Sequence, residues 1–203
     1  MRRLLAAAVA MAVLAAGCGS ASKARPSPAR AAAPHYHGAV ATPPVPAAPL
    51  QLRNYDGTPV SLTQYAGKAV LVTFIYTHCP DVCPLIVGNM RNVQAKLGPA
   101  ASKLQIIAVS VDPKGDDRRT VAAFLKVHDM TGRMDYLVGS RRELAATWKR
   151  WRIAQRVPRK TPEQVEHSAL VYGISASGRL TTLYPANFKP ADVVADVPQL
   201  AAH

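Results

Sequence analysis

Two cysteines stand where a buried strand gives way to a helix. Cys79 and Cys83 lie in the segment YTHCPDVCP (76–84), directly after the β-branched and aromatic run 70–76, which is typical of a buried strand. Three residues separate the cysteines, so one helical turn would bring their sulfur atoms together. A helix N-terminus lowers the pKa of a nearby thiol. The thiolate that results either attacks disulfides or binds soft metal ions.

Predicted strands and helices alternate on both sides of this segment. The chain order is a β-hairpin, three strand–helix units, a second hairpin and a last helix. Strands are predicted at 50–53, 60–62, 70–76, 104–111, 135–138, 169–174 and 179–184, and helices at 85–97, 118–128, 140–153 and from 190 onward. This alternation predicts an α/β fold with a central mixed sheet flanked by helices. Ligands then bind at the carboxyl ends of the parallel strands, where Cys79 and Cys83 are expected.

The N-terminus has the features of an export signal. A charged start, MRR, precedes an apolar run at 4–16 and the sequence AAGC, which ends at Cys18. This looks like a bacterial lipoprotein signal, with cleavage before Cys18 and lipid added to its thiol; an ordinary secretory signal with an incidental cysteine is the alternative. Either predicts a protein that works outside the cytosol, where a close dithiol becomes a disulfide unless it is reduced or binds a metal.

Composition divides the chain into three parts: a signal peptide at 1–17, an Ala/Pro-rich tether at 18–49 and one domain at 50–203. Within the tether, His35 and His37 have a spacing that can capture a metal ion weakly, although exposed histidines in a tether usually have no function. The net charge of +13 favours an anionic partner, such as an acidic protein face or a membrane. No nucleic-acid-binding motif is present.

Three segments resemble the Sco/SenC family of copper-binding proteins: YTHCPDVCP (76–84), SVDP (110–113) and VEHSALVYGI (165–174). The resemblance runs from about residue 49 to the C-terminus. It implies a thioredoxin-like fold with an N-terminal β-hairpin, in a monomeric protein tethered to the membrane. It also implies that the protein binds copper and supplies it to the CuA centre of cytochrome c oxidase, whose subunit II or another acceptor would be the partner. The family's copper ligands fall on Cys79, Cys83 and His167.

The chemistry of these residues agrees with copper. Two thiolates suit Cu(I), and an added imidazole gives a set that can also hold Cu(II). Thioredoxin-like oxidoreductases have two residues between their cysteines and a cis-proline opposite them, whereas this chain has three and no proline at Glu166-His167-Ser168. A thiol–disulfide oxidoreductase, with Cys79 and Cys83 catalytic, remains the main alternative. A redox or copper sensor is a third hypothesis.

Three polar residues near the cysteines are candidates to hold the metal ligands in place. His78 adjoins Cys79, Asp81 is placed to cap the following helix, and Asp112 ends the next strand. For Asp112, a plain turn role is equally compatible with the sequence. None of the three is expected to contact the metal itself.

Overall fold

The computed structural model describes residues 35–156 and 166–203. The predicted signal peptide and Cys18 lie outside the described residues. Among the helices that are described, none is both long enough and apolar enough to cross a membrane.

A mixed sheet forms the centre of the fold, as the sequence predicts, and it has eight strands in the described residues. Its order is β1-β10-β9-β4-β5-β6-β2-β3, with β4, β5 and β6 parallel and the other pairs antiparallel. A separate two-stranded ladder joins β7 to β8. The strands are β1 Ala39–Pro46, β2 Gln51–Asn54, β3 Pro59–Ser61, β4 Ala69–Ile75, β5 Leu104–Ser110, β6 Asp135–Val138, β7 Gln155–Arg156, β8 Glu166–His167, β9 Leu170–Ile174 and β10 Arg179–Pro185. The predicted hairpin is formed by β2 and β3.

In the part of the chain that the structure describes, four α-helices accompany the sheet: α1 Val82–Leu97, α2 Arg118–Val127, α3 Arg141–Trp151 and α4 Pro190–Ala202. Short 3-10 helices lie at Leu62–Tyr65 and Gly98–Lys103. Helix α3 begins with a capping box, in which Ser140 and Glu143 satisfy each other's backbone N–H groups. Asp117 forms the equivalent cap on α2, which leaves its neighbour Asp116 available for another role.

Strand β4 lies at the middle of the sheet and is buried along its whole length. Because both of its faces are covered, its sequence is a continuous apolar run rather than an alternation. Helix α1 follows directly and buries one face through Cys83, Ile86, Val87, Met90 and Val93, at the three- and four-residue spacing of a helix packed on a core. This packing fixes the position of the first turn of α1, and hence of Cys83.

The folded domain begins earlier than the predicted border at residue 50. Residues 39–46, predicted as tether, form β1, which pairs with β10 at one edge of the sheet. An edge strand needs hydrogen bonds on one side only, so it tolerates proline, and the Pro-rich composition of this segment therefore gave a misleading signal. Just before β1, Tyr36 is buried and His37 bonds to Asp196 of α4.

Candidate metal centre

The two cysteines lie together at the carboxyl end of β4. Cys79 is on the loop and Cys83 is the second residue of α1; both are free thiols and both are buried. The backbone N–H of Cys83 donates to the Sγ of Cys79 over 3.3 Å, and the Cys83 thiol also donates to that sulfur. Asp81 caps α1 by accepting from the N–H of Val82. The arrangement brings two sulfur ligands to the N-terminus of a helix.

The hydrogen bonds divide the protons unequally between the two thiols. The bond from the Cys83 thiol, helped by the backbone N–H groups of Cys83 and Asp81, lowers the pKa of Cys79 to about 6, although burial opposes the shift. The same bond, together with burial, raises the pKa of Cys83 far above its usual value. At neutral pH the pair therefore holds one proton, with the thiolate on Cys79. A thiolate is the form that binds a soft metal or attacks a disulfide.

His167 precedes β9, the antiparallel neighbour of β4. His167 forms part of β8, where it pairs with Gln155 of β7. It lies three positions before Leu170, the first residue of β9. Strand β9 runs antiparallel to β4, so the chain before Leu170 lies towards the carboxyl end of β4, the end that carries the cysteines. The structure describes the backbone of His167 and not its side chain. Within the described residues, no three His, Cys, Asp or Glu side chains form a complete metal site.

Asp116 holds the cysteine loop to the neighbouring strands, a role the sequence did not predict. It is 5% exposed and accepts four hydrogen bonds. The backbone N–H and hydroxyl of Thr77 donate to Oδ1 over 2.9 and 2.8 Å, and the hydroxyls of Ser110 and Tyr136 donate to Oδ2 over 2.6 and 2.8 Å. Thr77 begins the loop that carries Cys79. Burial raises the pKa of Asp116, while these bonds oppose the rise.

The other two polar candidates meet beside this loop. A Cβ built on Gly115 would lie 2.3 Å from Oδ2 of Asp112 and 3.0 Å from Nδ1 of His78, so both side chains close around that glycine. Oδ1 of Asp112 accepts the N–H of Lys114 over 3.1 Å, a turn contact. His78 is exposed, and its Nδ1 lies 3.1 Å from the hydroxyl of Thr77. His78 thus contacts the start of the cysteine loop, whereas the bond of Asp112 lies within its own turn.

The histidines assigned to the tether belong to the folded domain. Nδ1 of His37 lies 2.7 Å from Oδ1 of Asp196, whose side chain is completely buried, and this carboxylate raises the pKa of the imidazole. The ring centres of His35 and His37 are 5.8 Å apart. The order of strands places this pair at the β1 edge of the sheet, three strands away from β4.

The mixed sheet and a dithiol after its central parallel strand define a thioredoxin-like protein. Comparison with known proteins assigns the family: the SCO1/SenC family model matches residues 41–202, and the chain belongs to that family. The match begins before residue 50, in agreement with the position of β1.

Three solved structures illustrate the similarity. Copper-bound ScoI of Bradyrhizobium japonicum is 30% identical, with a TM-score of 0.68 over 77% of this chain and 99% of that one. A SCO1/SenC family lipoprotein of Bacillus anthracis is 25% identical, with a TM-score of 0.69 over 78% and 97%. BsSco, described as a member of the Sco family of cytochrome c oxidase assembly proteins in which a disulfide switch was identified, is 25% identical, with a TM-score of 0.66 over 80% and 98%.

The curated relatives include longer proteins. The mitochondrial SCO1 homolog of Mus musculus is 26% identical over 79% of this chain, and the chain spans 56% of that protein's length. The function of that longer protein is therefore only a proposal for this chain.

Proposed function

We propose that this protein is an extracytoplasmic copper metallochaperone that supports assembly of the CuA centre of cytochrome c oxidase. The observation that carries the proposal is the pair of adjacent cysteines after β4, in which hydrogen bonding lowers the pKa of Cys79. This donor set suits copper, because thiolates are soft ligands that select Cu(I). The copper-bound relative and the relative named as a cytochrome c oxidase assembly protein support the cargo and the pathway.

Cys79 and Cys83 are the proposed thiolate ligands and His167 the third ligand. Two sulfurs alone can hold Cu(I) linearly, whereas Cu(II) needs the additional imidazole nitrogen. The position of the His167 backbone, beyond the carboxyl end of β4, supports its inclusion. Asp112, Asp81 and His78 would keep the loop in place without touching the ion. The acceptor would be subunit II of cytochrome c oxidase or another copper-binding protein, approached by a monomer.

The test is copper binding by the reduced full chain, purified in detergent without a histidine tag. We expect one tightly bound Cu(I) per chain in the presence of a competing Cu(I) chelator. Cys79→Ser and Cys83→Ser should each abolish this binding. His167→Ala should weaken the binding of Cu(II) and remove the sulfur-to-copper absorption band of the Cu(II) form, while Cu(I) binding is retained. Cys18→Ser is the matched control, because it removes the third cysteine and should leave copper binding unchanged. Tight Cu(I) binding that survives either loop substitution would refute the assignment.

The proposed location is the outer face of the cytoplasmic membrane, with lipid attached to Cys18. The SCO1/SenC family lipoprotein of Bacillus anthracis supports an anchor of this kind. Cys18→Ser should release the protein from the membrane fraction after cell breakage. A variant that still sediments with membranes would show that another attachment is used.

A thiol–disulfide oxidoreductase is the second candidate, and the state of the cysteine pair favours it specifically. Cys79 carries the thiolate, and Cys83 lies in position to attack the mixed disulfide that Cys79 would form. Such a protein would reduce the cysteines of an apo copper site before copper is loaded. Reduction of a disulfide peptide at a useful rate by a chain that binds no copper would favour this function over the first.

A further inference from the structure

His35 and His37 form a pair of imidazoles outside the cysteine site. Both side chains are exposed, their ring centres are 5.8 Å apart and their planes meet at 89°. The segment that carries them is fixed to α4, since Gln199 donates to the backbone carbonyl of His35 over 2.9 Å. The pair is therefore a defined part of the fold.

Asp196 fixes the orientation and the tautomer of His37. Its Oδ2 accepts the backbone N–H of His37 over 2.9 Å and the hydroxyl of Tyr184 over 2.8 Å, and its Oδ1 lies 2.7 Å from Nδ1 of His37. A carboxylate only accepts, so Nδ1 carries the hydrogen and the lone pair of the neutral ring is on Nε2. Metal-binding histidines almost always donate their other ring N–H in this way, commonly to a carboxylate.

The separation of the two rings suits one shared metal ion. A metal–nitrogen bond of about 2.0 Å places each ring centre roughly 3 Å from the ion, so two rings on one ion have centres about 4–6 Å apart. The observed 5.8 Å lies within this interval. Asp192, one turn before Asp196 on α4, adds negative charge near His37. The surroundings therefore favour a cation.

The pair also lies towards the same end of the strands as the cysteines, the carboxyl end of β4. Ala39 pairs with Leu183 of β10, and the register through β9 places it level with Val72 of β4. Residues before Ala39 continue towards the carboxyl end of β4. Three strand spacings separate β1 from β4, about 14 Å at 4.8 Å per strand.

We propose that His35 and His37 form a second metal site, which binds Cu(II) through Nε2 of His37 and a ring nitrogen of His35, with water completing the coordination. Among divalent first-row ions, nitrogen sites bind Cu(II) most tightly. Asp196 is a positioning residue for this site, since it acts through His37. The site is separate from the thiols and goes beyond the proposed chaperone function, so either assignment can fail without the other.

The test uses the full chain carrying Cys79→Ser, Cys83→Ser and His167→Ala, which removes the first site. We expect this protein to bind one Cu(II), with an electron paramagnetic resonance spectrum that shows nitrogen ligation. His35→Ala and His37→Ala should each weaken binding at least tenfold, and His203→Ala, at the exposed C-terminus, is the matched control. Absence of nitrogen-ligated Cu(II), or an affinity unchanged by both His35→Ala and His37→Ala, would overturn the proposal.

Asp196→Asn tests the orienting contact. We expect Cu(II) affinity to fall between tenfold and a hundredfold, as is typical when the partner of a ligating histidine is removed. Tyr184→Phe removes the other side-chain donor to the same carboxylate and leaves the bond to His37, so it should retain the affinity. Circular dichroism checks that both variants are folded. A folded Asp196→Asn protein with undiminished affinity would exclude the positioning role of Asp196.

Discussion

Two buried carboxylates each fix a segment that carries potential metal ligands. Asp116 is 5% exposed and holds Thr77, at the start of the cysteine loop. Asp196 is 0% exposed and holds His37, before β1. Both carboxylates therefore fix a segment outside the strands and helices, near the carboxyl end of β4.

The donors to the two carboxylates differ in charge. Asp116 receives hydrogen bonds from one backbone N–H and three hydroxyls, all neutral, and burial raises its pKa. Asp196 is bonded to an imidazole that can carry the compensating positive charge and that reaches solvent, with 42% of its side chain exposed. Neutral donors fix the cysteine loop without compensating charge, whereas the imidazole links its buried carboxylate to the surface.

The largest predicted effect comes from removing each carboxylate. Asp116→Ala removes the carboxylate acceptor of the buried hydroxyls of Tyr136 and Ser110 and leaves Tyr136 only a long bond of 3.4 Å to the carbonyl of Ile75, so it should lower the free energy of unfolding by about 3 kcal/mol or more. Asp196→Ala leaves the Tyr184 hydroxyl buried without this acceptor while His37 turns to solvent, and should cost about 2 kcal/mol. Urea denaturation measures both. An equal or larger loss of stability for Asp196→Ala would contradict the greater structural role of Asp116.

A smaller effect on cysteine reactivity should distinguish the cysteine loop from the segment that carries His37. Thr77→Val keeps the backbone bond to Asp116 but removes the hydroxyl bond, at a cost of about 1 kcal/mol, and should loosen the cysteine loop. In the parent protein we expect iodoacetamide to alkylate Cys79 with a midpoint near pH 6 and to spare Cys83.

In Thr77→Val, labelling of Cys83 should increase, whereas His37→Ala should leave both cysteines unchanged. Mass spectrometry of the labelled peptides distinguishes the two sites. Equal labelling of Cys83 in all three proteins would show that Asp116 does not control the loop.

The smallest effect should be in the pH dependence of stability, because the four hydrogen bonds to Asp116 oppose the effect of burial. A raised pKa means that the folded state binds this proton more tightly than the unfolded state, whose reference value is 3.8. The contribution to stability is therefore fully present below about pH 3.8 and is lost as the pH rises through the folded pKa. The difference in unfolding free energy between the parent protein and Asp116→Asn should show this slope. A difference that does not change with pH would contradict it.

The sequence predicted the features that depend on local pattern. The apolar run before Cys79 is β4, and the helices predicted at 140–153 and from 190 onward are α3 and α4, because each pattern lies within a few neighbouring residues. The predicted meeting of the two cysteines likewise required only a helical turn. The ligand role of His167 remains a prediction.

What the sequence could not provide depends on distant partners. Asp116 bonds to residues at positions 77, 110 and 136, and nothing in its own neighbourhood distinguishes it from Asp117, which caps α2. Strand β1 has the composition of a linker, and only its pairing with β10, more than a hundred residues later, makes it a strand. An aspartate in the loop that follows a strand is the sequence feature to test for this anchoring role in related chains.

The proline content of β1 has a consequence for the behaviour of the protein at high concentration. An exposed sheet edge normally offers free backbone N–H groups on which a second chain can assemble, which leads to aggregation. Here three of the eight residues of the edge strand, Pro43, Pro44 and Pro46, have no N–H to offer. Strand β1 thus pairs with β10 at both of its ends, with an irregularity between Val40 and Val45. It gives an approaching strand few donors, and so protects this edge from growing into an intermolecular sheet.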